Sequence, residues 1–232
     1  SFGTLGVGNS GDAANAVDDI TPTAFEEANG AGSGTIASSV DVGSGMDGSM
    51  SLSYGNGDLF GTGISVAYNY YPRLDGKTNN EKGASGANNE ARGSAESLNV
   101  GIPLSGLPIV GDSPLGGMKI TLGYNNSDNL TEANQRLEGG TVAVTLPVGP
   151  LSVGYQKKAY AGFQTDATKE FYKDDVYGIA YAVNDAFAVS YNVYESDKHL
   201  ETSIVEQETK AINIAYTVGG LTLAFQDAST SN

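Results

Sequence analysis

Two regularities and one oddity of composition predict an all-β protein, an antiparallel up-and-down transmembrane β-barrel. From Met50 onward apolar residues alternate with small or polar ones at period two, the mark of strands whose two faces meet different surroundings. The connections alternate between tight turns and long polar segments. Of 232 residues only 39% are apolar and 17% charged, while Gly supplies 32 and Tyr 13. A soluble domain this poor in apolar residues is normally richer in charge, because something must face water. Here small neutral residues fill the gap, and a large core packed on both sides of every element is ruled out.

The strands read off in chain order, residues 2–8 forming the first. One face then runs Met50, Leu52, Tyr54; Ile64, Val66, Tyr68, Tyr70; Leu98, Val100, Ile102, Leu104; and Met118, Ile120, Leu122, Tyr124. It continues as Val142, Val144, Leu146, Val148; Leu151, Val153, Tyr155; Tyr177, Ile179, Tyr181, Val183; and Phe187, Val189, Tyr191, Val193. Ile212, Ile214, Tyr216, Val218 and then Leu221, Leu223, Phe225 complete it. Tight-turn chemistry separates alternate pairs at Gly55-Asn56-Gly57-Asp58, Pro147-Val148-Gly149-Pro150, Asn184-Asp185-Ala186 and Gly219-Gly220. Long polar segments lie near 72–95, 128–138, 162–174 and 197–207. Residues 105–117 lengthen one short-turn end, an insertion with no assigned role.

Alternation leaves open which face is inside, and two observations point the apolar face outward. The other face is small and mostly uncharged, whereas strands facing water usually carry Lys, Glu and Thr. One end of the sheet has short turns and the other long loops, as in outer-membrane barrels. In lipid every backbone group must pair, so spanning strands have to close into a barrel. Aromatics are expected in two bands, with Tyr54, Phe60, Phe187 and Tyr216 beside short turns. Tyr68, Tyr70, Tyr124 and Tyr177 would lie toward the long loops.

A net charge of −15 makes nucleic acid a poor partner. With no Cys there are no disulfides, thiolate metal sites or Cys nucleophiles. No apolar run approaches the length of a membrane-spanning helix. The chain opens Ser1-Phe2-Gly3, without Met or a leader, and reads as processed or truncated.

The run Phe2-Gly3-Thr4-Leu5-Gly6-Val7-Gly8 resembles the strand before the constriction loop of general bacterial diffusion porins, which carry F-G-x-L-x-x-G there. The long acidic segment after it and the strand–turn–strand–loop units over 48–228 fit as well. The P-E-F-G-G run of enterobacterial members has no counterpart. The resemblance implies about 11 strands of a 16-stranded barrel, hence an internal fragment in one domain over 1–232. It also implies a homotrimer in the bacterial outer membrane, with membrane lipid and small hydrophilic solutes as partners.

Residues 9–45 hold Asp12, Asp18, Asp19, Glu26, Glu27 and Asp41 and no basic residue, the first in the chain being Arg73. By the resemblance this segment folds inward and narrows the pore. Asp12, Asp18, Asp19, Glu26 and Glu27 are then the constriction candidates. Carboxylates around a narrow aqueous pore favour cations. A solvated acidic loop without a pore role is the alternative. Strand parity puts Lys119 and Lys158 on the lumen wall and Lys157 on the outer surface. No cofactor is expected; Ca²⁺ on the acidic segment is weakly supported, because it needs six to eight oxygens. Gly6-Val7-Gly8-Asn9-Ser10-Gly11 matches G-x-G-x-x-G but lacks the following helix and acidic strand of a dinucleotide site. His199 is the single histidine, too little for a triad or a metal cluster. The expectation is a channel for passive diffusion, weakly cation-preferring, and not an enzyme. The competing readings are a structural or adhesive outer-surface β protein and a soluble ligand-binding barrel.

Overall fold

The computed structural model describes residues 2–9, 11–25, 27–28, 50–72, 92–106, 113–129, 136–161 and 170–231. Among these residues eleven strands make one antiparallel sheet in which each pairs with its sequence neighbours. They are β1 (Thr4–Asn9), β2 (Met50–Asn56), β3 (Ser65–Tyr71), β4 (Arg92–Pro103), β5 (Lys119–Asn129) and β6 (Leu137–Val148). β7 (Leu151–Ala161), β8 (Glu170–Asn184), β9 (Phe187–Leu200), β10 (Ile204–Val218) and β11 (Leu221–Ser231) follow. This is the all-β up-and-down arrangement that the alternation and turns predict.

The register sorts the two faces. On the outer face Ile102, Ile120, Val144, Tyr155, Tyr177 and Val193 stand side by side across β4–β9. The Tyr155 and Tyr177 rings lie 5.2 Å apart in this row. On the other face Gly101, Thr121, Ala143, Gln156, Val176, Tyr194 and Thr209 form a row across β4–β10, and all are buried. Burial is thus inverted relative to a soluble protein. Asn125, Gln156, Lys158, Asn192 and Asn213 are fully enclosed, while Leu223, Phe225, Ile212 and Tyr181 are exposed. Leaving such residues outside is stable when hydrocarbon surrounds them.

Going toward the long loops, the outer face changes from apolar to charged at Lys157, Asp175, Glu195, Lys210 and Asp227. Lys157 and Asp175 are cross-strand partners joined by a 2.8 Å ion pair. At 14 and 15 residues, β8, β9 and β10 exceed the 9–11 that cross a bilayer, so their charged ends stand beyond the apolar band.

The two-band sorting of aromatics holds for Phe187 and Tyr216, direct partners beside short turns. It fails for Tyr54 and Tyr68, which are partners at one height. The β2–β3 ladder ends at Asn56 and Val66, and a 3₁₀ turn over Leu59–Gly61 occupies the connection. That connection is therefore longer than its Gly-Asn-Gly-Asp signal suggests. The insertion after β4 begins with a 3₁₀ turn at Leu104–Gly106, whose first N–H donates to the Met118 carbonyl (2.8 Å); residues 107–112 lie outside the described set.

Neighbouring residues on opposite faces provide a test. Val189→Arg should cost roughly 2–4 kcal/mol near the bilayer midplane. Ala188→Arg, at the same depth but facing the lumen, should cost far less. Comparable loss of heat-stable, detergent-folded protein for both would overturn the facing.

Candidate functional site

After β1 the chain lies along the lumen face of the sheet as a strap, described over residues 11–25 and 27–28. A buried backbone without secondary structure must find hydrogen-bond partners elsewhere. Side chains of the wall supply them, strand after strand. On β3, Asn69 Nδ2 and the Tyr71 hydroxyl donate to the Gly11 carbonyl (3.0 and 3.2 Å). On β4, Ser97 donates to Asp12 Oδ1, and that oxygen also accepts from the Ala14 N–H (2.9 Å). A 3₁₀ turn over Asn15–Val17 then passes β5, where Gly123 leaves room for the Val17 side chain.

β7 holds the centre. Gln156 Nε2 donates to the Val17 and Asp18 carbonyls (2.9 and 2.6 Å), and its Oε1 accepts from the Ile20 N–H (3.3 Å). Two residues on, Lys158 Nζ meets Asp19 Oδ1 at 2.9 Å and Asp18 Oδ1 at 3.4 Å. It also lies 5.3 Å from the Tyr194 ring centre, and the Tyr194 hydroxyl donates to Asp174 Oδ2 (2.9 Å). Burying an ammonium is costly unless partners surround it, and two carboxylates and a ring face do so here. On β9, Asn192 Nδ2 donates to the Pro22 carbonyl (3.1 Å) and Ser190 Oγ accepts from the Ala24 N–H (2.9 Å). Asn213 of β10 donates to Thr23 Oγ1 (3.4 Å), and Gln226 of β11 to the Glu27 carbonyl (3.2 Å). Ala28 ends the described strap in an apolar cluster with Val176, Tyr194 and Ala211.

The constriction candidates are distributed unequally over this strap. Asp12, Asp18 and Glu27 are buried against the wall. The Asp19 side chain is 48% exposed even while it pairs with Lys158, and Glu26 lies outside the described residues, as does Asp41. Lys158 is on the lumen wall as parity requires, but beneath the strap and 0% exposed. Lys119 is exposed on the same face, beside Gly101. Asp18 and Asp19, considered for Ca²⁺, already flank the Lys158 ammonium, and that donor set does not fit a second cation. Among the described residues no three His, Cys, Asp or Glu side chains gather into a metal site.

Sequence reasoning missed the residues that hold the strap. Gln156, Asn192, Asn213 and Gln226 are amides at lumen-face positions otherwise dominated by Gly, Ala, Ser and Thr, and that contrast was the available signal. Gly123, Gly154 and Gly178 sit inside strands, where glycine marks close approach of another backbone.

No family model matches the chain, and no curated protein matches it. Its fold is similar to the loop L8 deletion mutant of OmpT, an outer membrane protein of Vibrio cholerae. That likeness has a TM-score of 0.56 at 12% identity and covers 99% of this chain and 72% of the other. The fold is that of an outer-membrane β-barrel. The apolar outer band belongs in that membrane, as the alternation implied. The exclusion of an enzyme needs correction. The match is to a barrel named only as an outer membrane protein, and one fold hosts many unrelated functions, so barrel architecture gives no ground for ruling catalysis out. The exclusion had leaned on missing Cys and a single His, whereas Asp12, Asp18, Glu27 and Asp174 put buried carboxylates on the lumen face.

Glu27 yields a pH prediction. Burial pushes its carboxyl from an ordinary 4.5 up to about 7; the Thr21 hydrogen bonds and the Lys158 charge oppose this, and Asp19 adds to it. Between those values the folded protein keeps a proton that the unfolded chain has released. Stability therefore falls as pH rises through this window and levels off above it. The span corresponds to roughly 3 kcal/mol. Glu27→Gln should flatten this part of the profile, measured by denaturant unfolding in detergent near pH 5 and near pH 8. An unchanged difference would remove Glu27 as its source.

Proposed function

We propose that the protein is a channel of the diffusion-porin kind, letting small hydrophilic solutes and ions cross the outer membrane passively. One observation carries this reading: the inward segment is fastened flat along the wall by side chains from β3 to β11. A segment held in that way narrows a lumen without plugging it. The surface beside it is polar and small, as a water-filled passage needs. The trimeric assembly implied by the resemblance to general porins belongs to the same proposal, with outer-membrane lipid around it.

The proposed ion preference is for cations and is modest. Lys158 offsets the charge of the Asp18–Asp19 pair, and Glu27 keeps its proton over part of the neutral range. Asp19 is the constriction candidate of the described strap whose carboxylate meets water. Its field reaches only about 8–10 Å at physiological salt.

Conductance of the full-length protein in a planar bilayer tests the channel itself, and reproducible absence of ion-conducting steps overturns it. In a conducting preparation, Asp19→Asn should shift the reversal potential in a salt gradient toward anions. The shift should be largest at low salt and vanish in concentrated salt. A shift that ignores ionic strength would remove Asp19 from the selectivity mechanism.

A further inference from the structure

We propose that Gly154 and Gly178, neighbours on the lumen face of β7 and β8, are positioning residues that set how far the strap stands off the wall. On the channel reading above they thereby set the bore. They are direct cross-strand partners, and Pro22 of the strap lies over both. A Cβ at Gly154 would fall 2.3 Å from Pro22 Cδ and 3.2 Å from Pro22 Cγ. One at Gly178 would fall 2.8 Å from the Pro22 carbonyl oxygen and 3.0 Å from Thr21 Cβ. Backbone conformation does not demand glycine here, since neither residue is among the positive-φ glycines. Glycine inside a strand is destabilising relative to alanine. Space for the strap is what it provides in return.

The Asn192 amide, 2.9 Å from a Cβ at Gly178, can swing aside, but the nearest atom at Gly154 and at Gly178 cannot. At Gly123 the nearest obstacle is a methyl of Val17, a rotatable side chain. At Gly154 it is a proline ring whose φ is locked, and at Gly178 a backbone carbonyl. The strap is also pinned on both sides of Pro22, by Gln156 to the Val17 and Asp18 carbonyls and by Gln226 to the Glu27 carbonyl. A methyl at Gly154 therefore has to lift Pro22 by roughly 1.2–1.7 Å to restore ordinary carbon–carbon contact. The lift points away from the wall and into the lumen. Valine lifts it further. Gly55, on the lumen face of β2, has nothing within 4 Å of its would-be Cβ and provides the contrast.

The test uses the full-length protein, with two readouts. Thr23 Oγ1 and Ser190 Oγ are 3.2 Å apart, and the sequence has no cysteine, so Thr23→Cys with Ser190→Cys reports strap seating by disulfide formation. Single-channel conductance and the uptake of neutral sugars of increasing size report the bore. Gly154→Ala should slow disulfide formation, lower conductance and retard large sugars more than small ones. Gly154→Val should do each more strongly, and Gly55→Ala should do none. Gly178→Ala substitutes for the valine variant if that one does not fold, as judged by circular dichroism in detergent. Unchanged disulfide formation in Gly154→Val, or conductance unchanged or raised while seating is lost, overturns the proposal. A parent protein that forms the disulfide but passes no ions instead removes the channel reading, and the disulfide readout still decides whether the glycines seat the strap.

Discussion

Hydrocarbon offers the backbone no hydrogen-bond partner, and the rest of this molecule follows from that. Each N–H and C=O of a spanning strand must pair with a neighbouring strand, which gives the next-neighbour antiparallel ladder from β1 to β11. Pairing fixes pleat direction, and the pleat sends alternate side chains to lipid and to the lumen. The apolar complement is therefore spent on the outer surface. What is left for the inside is polar, small and rich in glycine, which explains a composition poor in both apolar and charged residues.

The same accounting governs the strap, with a different solution. Its backbone is irregular and enclosed, so it cannot pair within itself as a strand or helix does. The wall answers with amides and hydroxyls, groups that reach up to three backbone atoms each without bringing net charge. Gln156 serves three strap residues at once. Charge enters at one place, Lys158, where Asp18 and Asp19 meet it. Tyr194 and Asp174 form a second polar contact behind it. The strap is thus neutral in most of its fastening and ionic at its middle. Among the described residues its acidity, conspicuous in the sequence, is directed mainly at the wall, with Asp19 the exception that also touches water.

Legibility in the sequence divided along physical lines. Strand identity and facing were readable because period-two alternation is a local property, repeated in every strand from Met50 to Phe225. Heights were less so: Tyr54 and Tyr68 were placed at opposite edges yet are paired, since register across β2–β3 depends on a turn whose 3₁₀ geometry the Gly-Asn-Gly-Asp string does not specify. Lys158 was placed on the correct face by parity. Its burial under the strap was not readable, because nothing near residue 158 in sequence announces that residues 18 and 19 will lie over it. Gln156, Asn192 and Gly154 stand out as residue types, but what they hold was not readable for the same reason. Their meaning lies in a partner more than a hundred residues away.

The strap meets the strands in the order in which the chain makes them, from β3 at Gly11 to β11 at Glu27. A segment that leaves the chain after β1 thus waits for β11 before its contact at Glu27 can form. Glu27 and Gln226 are separated by 199 positions, and contacts of such span are slow to form because the loop between them must close first. In kinetic terms the strap is a late-maturing element. The Glu27 end of the described strap can dock only on a wall that has already zipped up through β11, so its seating registers that this stretch of barrel has formed.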